Sequence, residues 1–329
     1  MLDRTYRKHI KNSKLLNENS KEIYLKRLDI VQNEIWKNCK TQQKVGKGKC
    51  LHYIIKHPEA FMEKLEEYVN KTNGRLDKNK LSMHAKDGYV SAIGALFRHS
   101  PGMMQKHAEL YQKWMDIHKE VRVPINNKYQ SNKPTKRQEE AYISFEDLIK
   151  KRDSLKDGSI QKLLLSIYTM IPPVRSDYDK LIIYNNESQI TDEFDNYLIL
   201  NNQPKIILRK YKTARIHKEN EIKLPNNLVK QIKISLKENP RKFLFVSTRN
   251  NEMFNKPNSF NRWANRLLKD IFKKENISLT TLRHIYITRR DLKLEEKSGL
   301  ERNKIAKVMG HSVSTQQNYL WHTYEKEKK

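Results

Sequence analysis

One position limits the folds open to this chain more than any other. Arg283 lies in the run Thr280-Thr281-Leu282-Arg283-His284-Ile285-Tyr286-Ile287. The run is apolar-periodic and reads as a core-facing helix. A guanidinium among Leu282, Ile285 and Ile287 is costly unless it is paired, so the fold must build a site against it. His284 beside it reads first as a packed, hydrogen-bonded histidine.

Residues 304–312 follow, Lys-Ile-Ala-Lys-Val-Met-Gly-His-Ser, and Tyr319 stands eight residues after His311. Gly310 reads as a helix C-cap after the apolar Ile305 and Val308. Such a cap fixes where His311 points, and a histidine there can donate to a phosphate oxygen at neutral pH; a surface histidine after a cap is the equal alternative. Arginine, histidine and tyrosine at this spacing suit attack of a phenol oxygen on a phosphodiester. That chemistry needs cations on the phosphate and a proton donor for the leaving sugar oxygen. Tyr319 also fits a plainer reading, an aromatic anchor of the last helix. Tyr324 is the rival nucleophile, in more charged surroundings.

Two earlier segments supply matching chemistry. Arg175 follows the Pro172-Pro173 break in Val-Arg-Ser-Asp-Tyr. Placed just before a new helix, it can aim its fork at a phosphate, and Asp177 can orient it. A surface ion pair is the bland alternative. Lys212 lies in Arg-Lys-Tyr-Lys-Thr-Ala-Arg, at the turn of an expected hairpin. A lysine on such a tip can enter a DNA groove and protonate a leaving oxygen, although taken alone it reads more readily as one more lysine of a lysine-rich chain. Lys210 and Arg215 are close enough to be confused with it.

The charge balance points the same way. The chain carries 66 Lys+Arg against 38 Asp+Glu, a formal net charge of +28. Such an excess repels itself in a compact state and fits a polyanion partner, nucleic acid first. A membrane surface is a weaker fit. No segment approaches the roughly 20 apolar residues of a spanning helix, and the N-terminus lacks a signal-peptide core. Cys39 and Cys50 suggest two free thiols in a reducing compartment rather than a disulfide or zinc framework. No carboxylate cluster suits a metal, and no cofactor is expected.

Along the chain, residues 1–18 read as a basic, loose arm. Residues 19–121 read as a small helical domain. Its first helix is capped by Asn19 with Glu22 three residues on, the second starts at Pro58, the third at Ser82, and the fourth runs over about 105–120. Thr72-Asn73-Gly74 ends the second, and residues 44–49 read as a loop. Residues 122–140, with Pro124 and Pro134, read as a linker. Residues 141–329 mix helices with strands. Ser144 and Asp147 open the first helix, 160–170 is apolar and helical, and 197–200, 205–209 and 221–224 have strand character, the last two as a hairpin. Residues 243–247 form a short apolar run. The expected class is mostly α with a small antiparallel β-sheet.

The ordered set Arg175, Lys212, Arg283, His311 and Tyr319 resembles the tyrosine recombinases, also called the phage-integrase family. Leu282-Arg283-His284 and Met309-Gly310-His311-Ser312 are the specific matches, and the likeness spans nearly the whole length. It implies a helical core-binding domain followed by an α+β catalytic domain. It implies that Arg175 and Arg283 clamp the scissile phosphate, that Lys212 is the general acid, that His311 contacts a phosphate oxygen and that Tyr319 is the nucleophile. Asp177 matches a supporting acidic position. The implied partner is double-stranded DNA, bound by a homotetramer on two sites, wherever that DNA resides in the cell. The Lys/Asn-rich, glycine-poor style is similar to integrases of mobile elements or large DNA viruses.

One position departs from the pattern. Three residues before the second arginine the family usually has histidine, sometimes lysine, and here stands Thr280. Its hydroxyl hydrogen-bonds but is no cation, which leaves His284 or a water to take that part. Two rivals follow: a type IB topoisomerase-like enzyme that relaxes DNA as a monomer, and a DNA-binding protein on an inactive recombinase fold.

Overall fold

The computed structural model describes residues 2–36, 48–68, 71–72, 75–76, 81–191, 195–256 and 258–321. Cys39, most of the 44–49 loop, Asn73-Gly74 and Tyr324 lie outside the described residues. The chain divides into two compact units, Met1–Ser131 and Asn132–Lys329. No helix of the described residues is long and apolar enough to cross a membrane.

The first unit is helical. Its elements are α1 (Leu2–Asn12), α2 (Glu18–Ile30), α3 (Cys50–Lys56), α4 (Pro58–Glu67), α5 (Met83–His99), the single turn α6 (Met103–Lys106) and α7 (Ala108–Gln130). Two-residue strands β1 (Lys71–Thr72) and β2 (Arg75–Leu76) pair antiparallel between α4 and α5. Ser82 caps α5 by accepting from the Ala85 N–H. The core gathers Leu28, Ile54, Phe61, Ile93, Phe97 and Trp114. Trp114 is fully buried, and its indole N–H donates to the Ile55 carbonyl at 2.9 Å, as a buried indole must.

The segment expected as a loose arm is helix α1. Tyr6 and Ile10, four residues apart on one face, are buried in the core. The carboxylate of buried Asp3 accepts from the Leu51 N–H and from Gln32. Helix α2 begins one residue before the expected cap. Asn17, not Asn19, accepts from the Ser20 N–H. The stretch 122–140 is not a linker throughout, because α7 continues through Pro124 to Gln130. Proline inside a helix costs about 3 kcal/mol, but Trp114, Val121 and Ile125 continue the buried stripe across it, and their burial outweighs that cost.

The second unit starts with α8 (Lys136–Ala141), opened by a Thr135–Gln138 capping box, and α9 (Phe145–Asp153), capped by Ser144. Then come α10 (Ile160–Met170), the strands β3 (Leu181–Tyr184), β4 (Asn196–Ile199), β5 (Lys205–Leu208) and β6 (Asn220–Lys223), with the single turn α11 (Ala214–His217) between the last two. Helices α12 (Asn226–Glu238), α13 (Ser259–Phe272), α14 (Leu279–Thr288), α15 (Gly299–Val308) and the short α16 (Val313–Gln317) complete it.

The sheet order is β3-β4-β5-β6. It is mixed rather than antiparallel: β3 pairs parallel to β4, and the other pairs are antiparallel. The expected hairpin is β5–β6. Strand β3 was not expected, and 243–247 joins its edge only through a bridge between Ile182 and Phe243. Leu198, Ile206 and Leu208 face the main core, whereas Tyr197, Ile199 and Ile207 form a second cluster on the opposite face. Both faces are covered, which is why these strands are apolar at nearly every position. Helix α14 is buried along almost its whole length, so a polar group on it that lacks a partner is costly.

Because α1 contributes to the core, Ile10→Ala should destabilise the first unit by about 2–4 kcal/mol, in the range for buried isoleucine truncation. Urea unfolding followed by far-UV circular dichroism measures it. A detached arm would leave the midpoint unchanged.

Candidate active site

The site grows from the C-terminal end of α15. Gly310 has φ +71°, a conformation that favours glycine. Its N–H donates to the Lys307 carbonyl and the His311 N–H donates to the Ala306 carbonyl. This bond pair is a Schellman cap, and it aims the carbonyls of 309 and 310 away from the helix. Side chains from distant segments meet them there. Arg283 Nη2 donates to the Met309 carbonyl at 3.2 Å, and Arg175 Nη2 to the Gly310 carbonyl at 3.3 Å. Thr213 Oγ1 donates to the same Gly310 carbonyl at 2.8 Å. Asn220 donates to the carbonyls of Lys307 and Val308, each at 3.1 Å.

Arg283 is 1% exposed. Among the described residues its Nε and Nη1 have no hydrogen-bond partner. Its guanidinium lies 4.5 Å from the centroid of the Tyr319 ring, over the face. Loss of water lowers its pKa from the usual arginine range; nearby Arg175 adds to the fall, while Tyr319, Tyr168 and Asp177 oppose it.

His311 is 2% exposed and stacks on Tyr319, with ring centroids 5.5 Å apart and planes at 16°. Its Nδ1 lies 3.1 Å from the Ser312 carbonyl. A carbonyl only accepts, so Nδ1 carries the proton. Nε2 is buried and unpaired among the described residues. Burial, then Arg283, pulls the His311 pKa down to about 4, with Arg175 and His217 contributing. The ring is therefore neutral at physiological pH and presents Nε2 as a lone pair.

Tyr319 is half-buried and follows α16, whose N-cap Ser312 accepts from the Thr315 N–H. Among the described residues the structure records no hydrogen bond to its hydroxyl. Asp177 is half-buried beside the arginines. Loss of water pushes its carboxyl up, and Arg175 and Arg283 pull it back.

Arg175 does not precede a helix as expected. It sits in a turn leading into β3, and its carbonyl is held by the Tyr168 hydroxyl. Lys212 is exposed in the β5–β6 connection and makes no hydrogen bond to the other four residues among those described. Its neighbour Thr213 ties that connection to Gly310. Lys210 is exposed and pairs with Asp195 at 3.7 Å, and Arg215 is exposed too. Thr280 is exposed on the first turn of α14. Arg175, Arg283, His311 and Tyr319 thus meet around the α15 terminus, while Lys212 and Thr280 face solvent.

Several residues of this arrangement carried no signal in the sequence. Buried Asn196 accepts from the N–H groups of Arg209 and Lys210 and donates to the carbonyls of Asp177 and Lys210. It thereby joins the Asp177 turn to the Lys212 connection. His217, on α11, is near enough to His311 to affect its charge. Gln316 is buried with both amide atoms unpaired among the described residues. A separate polar cavity of about 340 Å³ is lined by Ser159, Glu238, Arg241 and Ser247 and contains none of these residues. Its arginine already donates to the carbonyls of Leu244, Ser235 and Asn239.

No family model matches the chain, and no curated protein matches it. Among solved structures it is similar to the crystal structure of XerA recombinase, at 17% identity and a TM-score of 0.38, over 90% of this chain and 92% of that chain.

The arrangement suits an oxyanion. Two donors of the Arg283 guanidinium lack partners among the described residues, beside a phenol. No group of three His, Cys, Asp or Glu among the described residues is arranged to hold a metal ion. His284 is likewise lowered to about 4 by burial. Both histidines fold in the neutral form, so the unfolded chain binds protons that the folded chain does not between about pH 6.5 and 4. Their contribution to stability is therefore present above about pH 6.5 and is lost as pH falls through that window. Asp177 and Asp179, both raised by burial, act in the opposite sense at acid pH. In NMR titrations of the free protein both rings should stay neutral at pH 6. A bound phosphodiester should raise the His311 value and leave His284 nearly unmoved. A His311 midpoint near 6.5 without ligand would contradict the packing described.

Proposed function

We propose that the chain cleaves and rejoins DNA by the tyrosine recombinase reaction. The observation that carries the reading is Arg283: a buried guanidinium with two unpaired donors, stacked on the ring of Tyr319. A buried cation in that state is costly, and a phosphodiester oxygen would relieve it while lying beside a phenol. The charge of +28 supports a polyphosphate backbone over a small phosphate ester as the bound anion.

In this reading Tyr319 Oη attacks the phosphorus of a backbone phosphodiester of duplex DNA. The phenol proton passes to bulk water, a phosphotyrosyl ester forms at the 3′ side, and the bond to the 5′ oxygen breaks. Lys212 gives that oxygen its proton. The bond energy stays in the ester, so the 5′-hydroxyl of the same or another strand can reverse the step without ATP. Arg175 and Arg283 hold the non-bridging oxygens as negative charge develops on the pentacoordinate phosphorus. An anion beside His311 favours the imidazolium, whose Nε2–H then donates to the phosphate. Strand exchange requires a homotetramer on two DNA sites; a topoisomerase-like enzyme would instead relax supercoils as a monomer. The exposed Thr280 favours a slower enzyme, or at the limit a protein that only binds DNA.

A nicked suicide substrate separates these readings. The wild-type protein should leave a denaturant-resistant covalent adduct. Tyr319→Phe should abolish the adduct while keeping DNA binding. Loss on Tyr324→Phe instead would move the nucleophile into the tail, and binding without any adduct would leave only the DNA-binding reading.

Lys212→Ala should slow cleavage by roughly 10²–10⁴-fold, the range for losing a general acid. The rate should recover on a substrate with a 5′-thiol leaving group, which needs no proton. A rate that stays low on the thiol substrate would remove Lys212 from that role.

A further inference from the structure

Helix α14 does more than carry Arg283. The next residue, His284, and Thr288 four residues on both engage residues 319–321 across more than thirty residues of sequence. His284 Nδ1 lies 2.9 Å from the Tyr319 carbonyl, so that nitrogen is the donor. Thr288 Oγ1 accepts from the Trp321 N–H at 3.1 Å. The imidazole stacks on the Trp321 indole, with centroids 4.2 Å apart and planes at 9°. It also meets the Tyr319 ring at 4.8 Å. His284 is 7%, Thr288 6% and Trp321 3% exposed, so these bonds do not compete with water.

Among the described residues, the backbone N–H bonds of Tyr319 and Leu320 are local. The Tyr319 N–H donates to the Gln316 carbonyl and the Leu320 N–H to the Gln317 carbonyl. These bonds close a turn but do not locate it. The long-range polar restraint on this main chain among the described residues is the pair from α14. The same helix holds Arg283, one residue from His284. Cation and phenol are therefore referenced to one rigid element.

We infer that His284 and Thr288 are positioning residues that fix the main chain of 319–321 and so set the distance of the Tyr319 oxygen from an anion held by Arg283. The inference rests on Tyr319 being the nucleophile. Positioning of this kind acts on the rate of the covalent step, where a misplacement near 1 Å costs about 10²-fold. Affinity for DNA is governed by other groups.

Four variants of the full chain test it. His284→Phe keeps a stacking ring and removes the donor; His284→Asn keeps a donor near the Nδ1 position. Thr288→Val removes the acceptor at equal size; Thr288→Ser keeps it. On the suicide substrate at saturating DNA, His284→Phe and Thr288→Val should form the adduct about 10–100-fold more slowly with unchanged Kd. His284→Asn and Thr288→Ser should stay within about threefold of wild type. Without DNA, hydrogen exchange of the peptide containing 319–321 should quicken in the Phe and Val variants and stay slow in the Asn and Ser variants. Wild-type rates in the Phe and Val variants would overturn the proposal. So would equal losses in all four, which would mark a merely structural site. If the wild-type protein forms no adduct, the nucleophile reading fails with its positioning claim. The exchange pattern then still decides whether the α14 restraint exists.

Discussion

The organisation of the second unit turns on how the end of one helix is satisfied. A helix leaves its last carbonyls without partners and carries partial negative charge there. At the end of α15 the Schellman cap answers two of them, at Ala306 and Lys307. Donors from other elements reach Lys307, Val308, Met309 and Gly310. Two of these donors are arginines, and the carbonyls draw them to one place from positions more than a hundred residues apart. The positive φ of Gly310 makes this possible, since it turns the chain sharply enough to present the last carbonyls sideways. A β-carbon there would be strained by backbone conformation alone, whatever the space around it.

Each arginine gives only part of its donor set to those carbonyls. Arg283 has a planar fork of five N–H groups, and it is buried on α14, as are Leu282, Ile285 and Ile287. Stacking on Tyr319 satisfies its face but not its edge. The edge donors point to a polar ligand, and the neighbouring imidazole is kept neutral by burial first and by the same charge second. Lysine in this position would give a point charge without the flat face that packs on the tyrosine ring. The arginine thus joins the packing of the tyrosine ring to two donor atoms without partners among the described residues.

Much of this was legible in the sequence where the signal is local. Gly310 after an apolar-periodic run announces its cap. An arginine inside a core helix announces a site. The β5–β6 hairpin follows from two apolar runs around a polar turn. Other features escaped because their cause is remote. Helix α1 hides its two core residues, Tyr6 and Ile10, among basic ones, and the chain's overall charge made the segment look solvated. Pro124 reads as a boundary until the buried stripe on both sides of it is known. The parallel pairing of β3 with β4 depends on the path of the intervening chain, which no pattern within either strand encodes. Asn196, Thr213 and Asn220 look like ordinary loop residues, yet their bonds fix the loops around the site. His284 reads as a packed histidine, and it is one, but its partner, the Tyr319 carbonyl, lies 35 residues away and no local pattern names it.

Asp177 explains why the site is not already saturated. A carboxylate near two arginines would ordinarily close a bidentate bridge, and the guanidinium edges would then have nothing left to offer a ligand. Here no ion pair joins Asp177 to Arg175 or Arg283 among the described residues. The turn that carries it is pinned by Asn196 through its own carbonyl, which holds the backbone and leaves the carboxyl group at the side. Its charge lowers the repulsion between the guanidinium groups without occupying their donors. Burial raises its proton affinity, and Arg175 and Arg283 pull it back. Two cations kept close by helix carbonyls, moderated but not neutralised by one acid, leave an unfilled demand for negative charge beside the tyrosine.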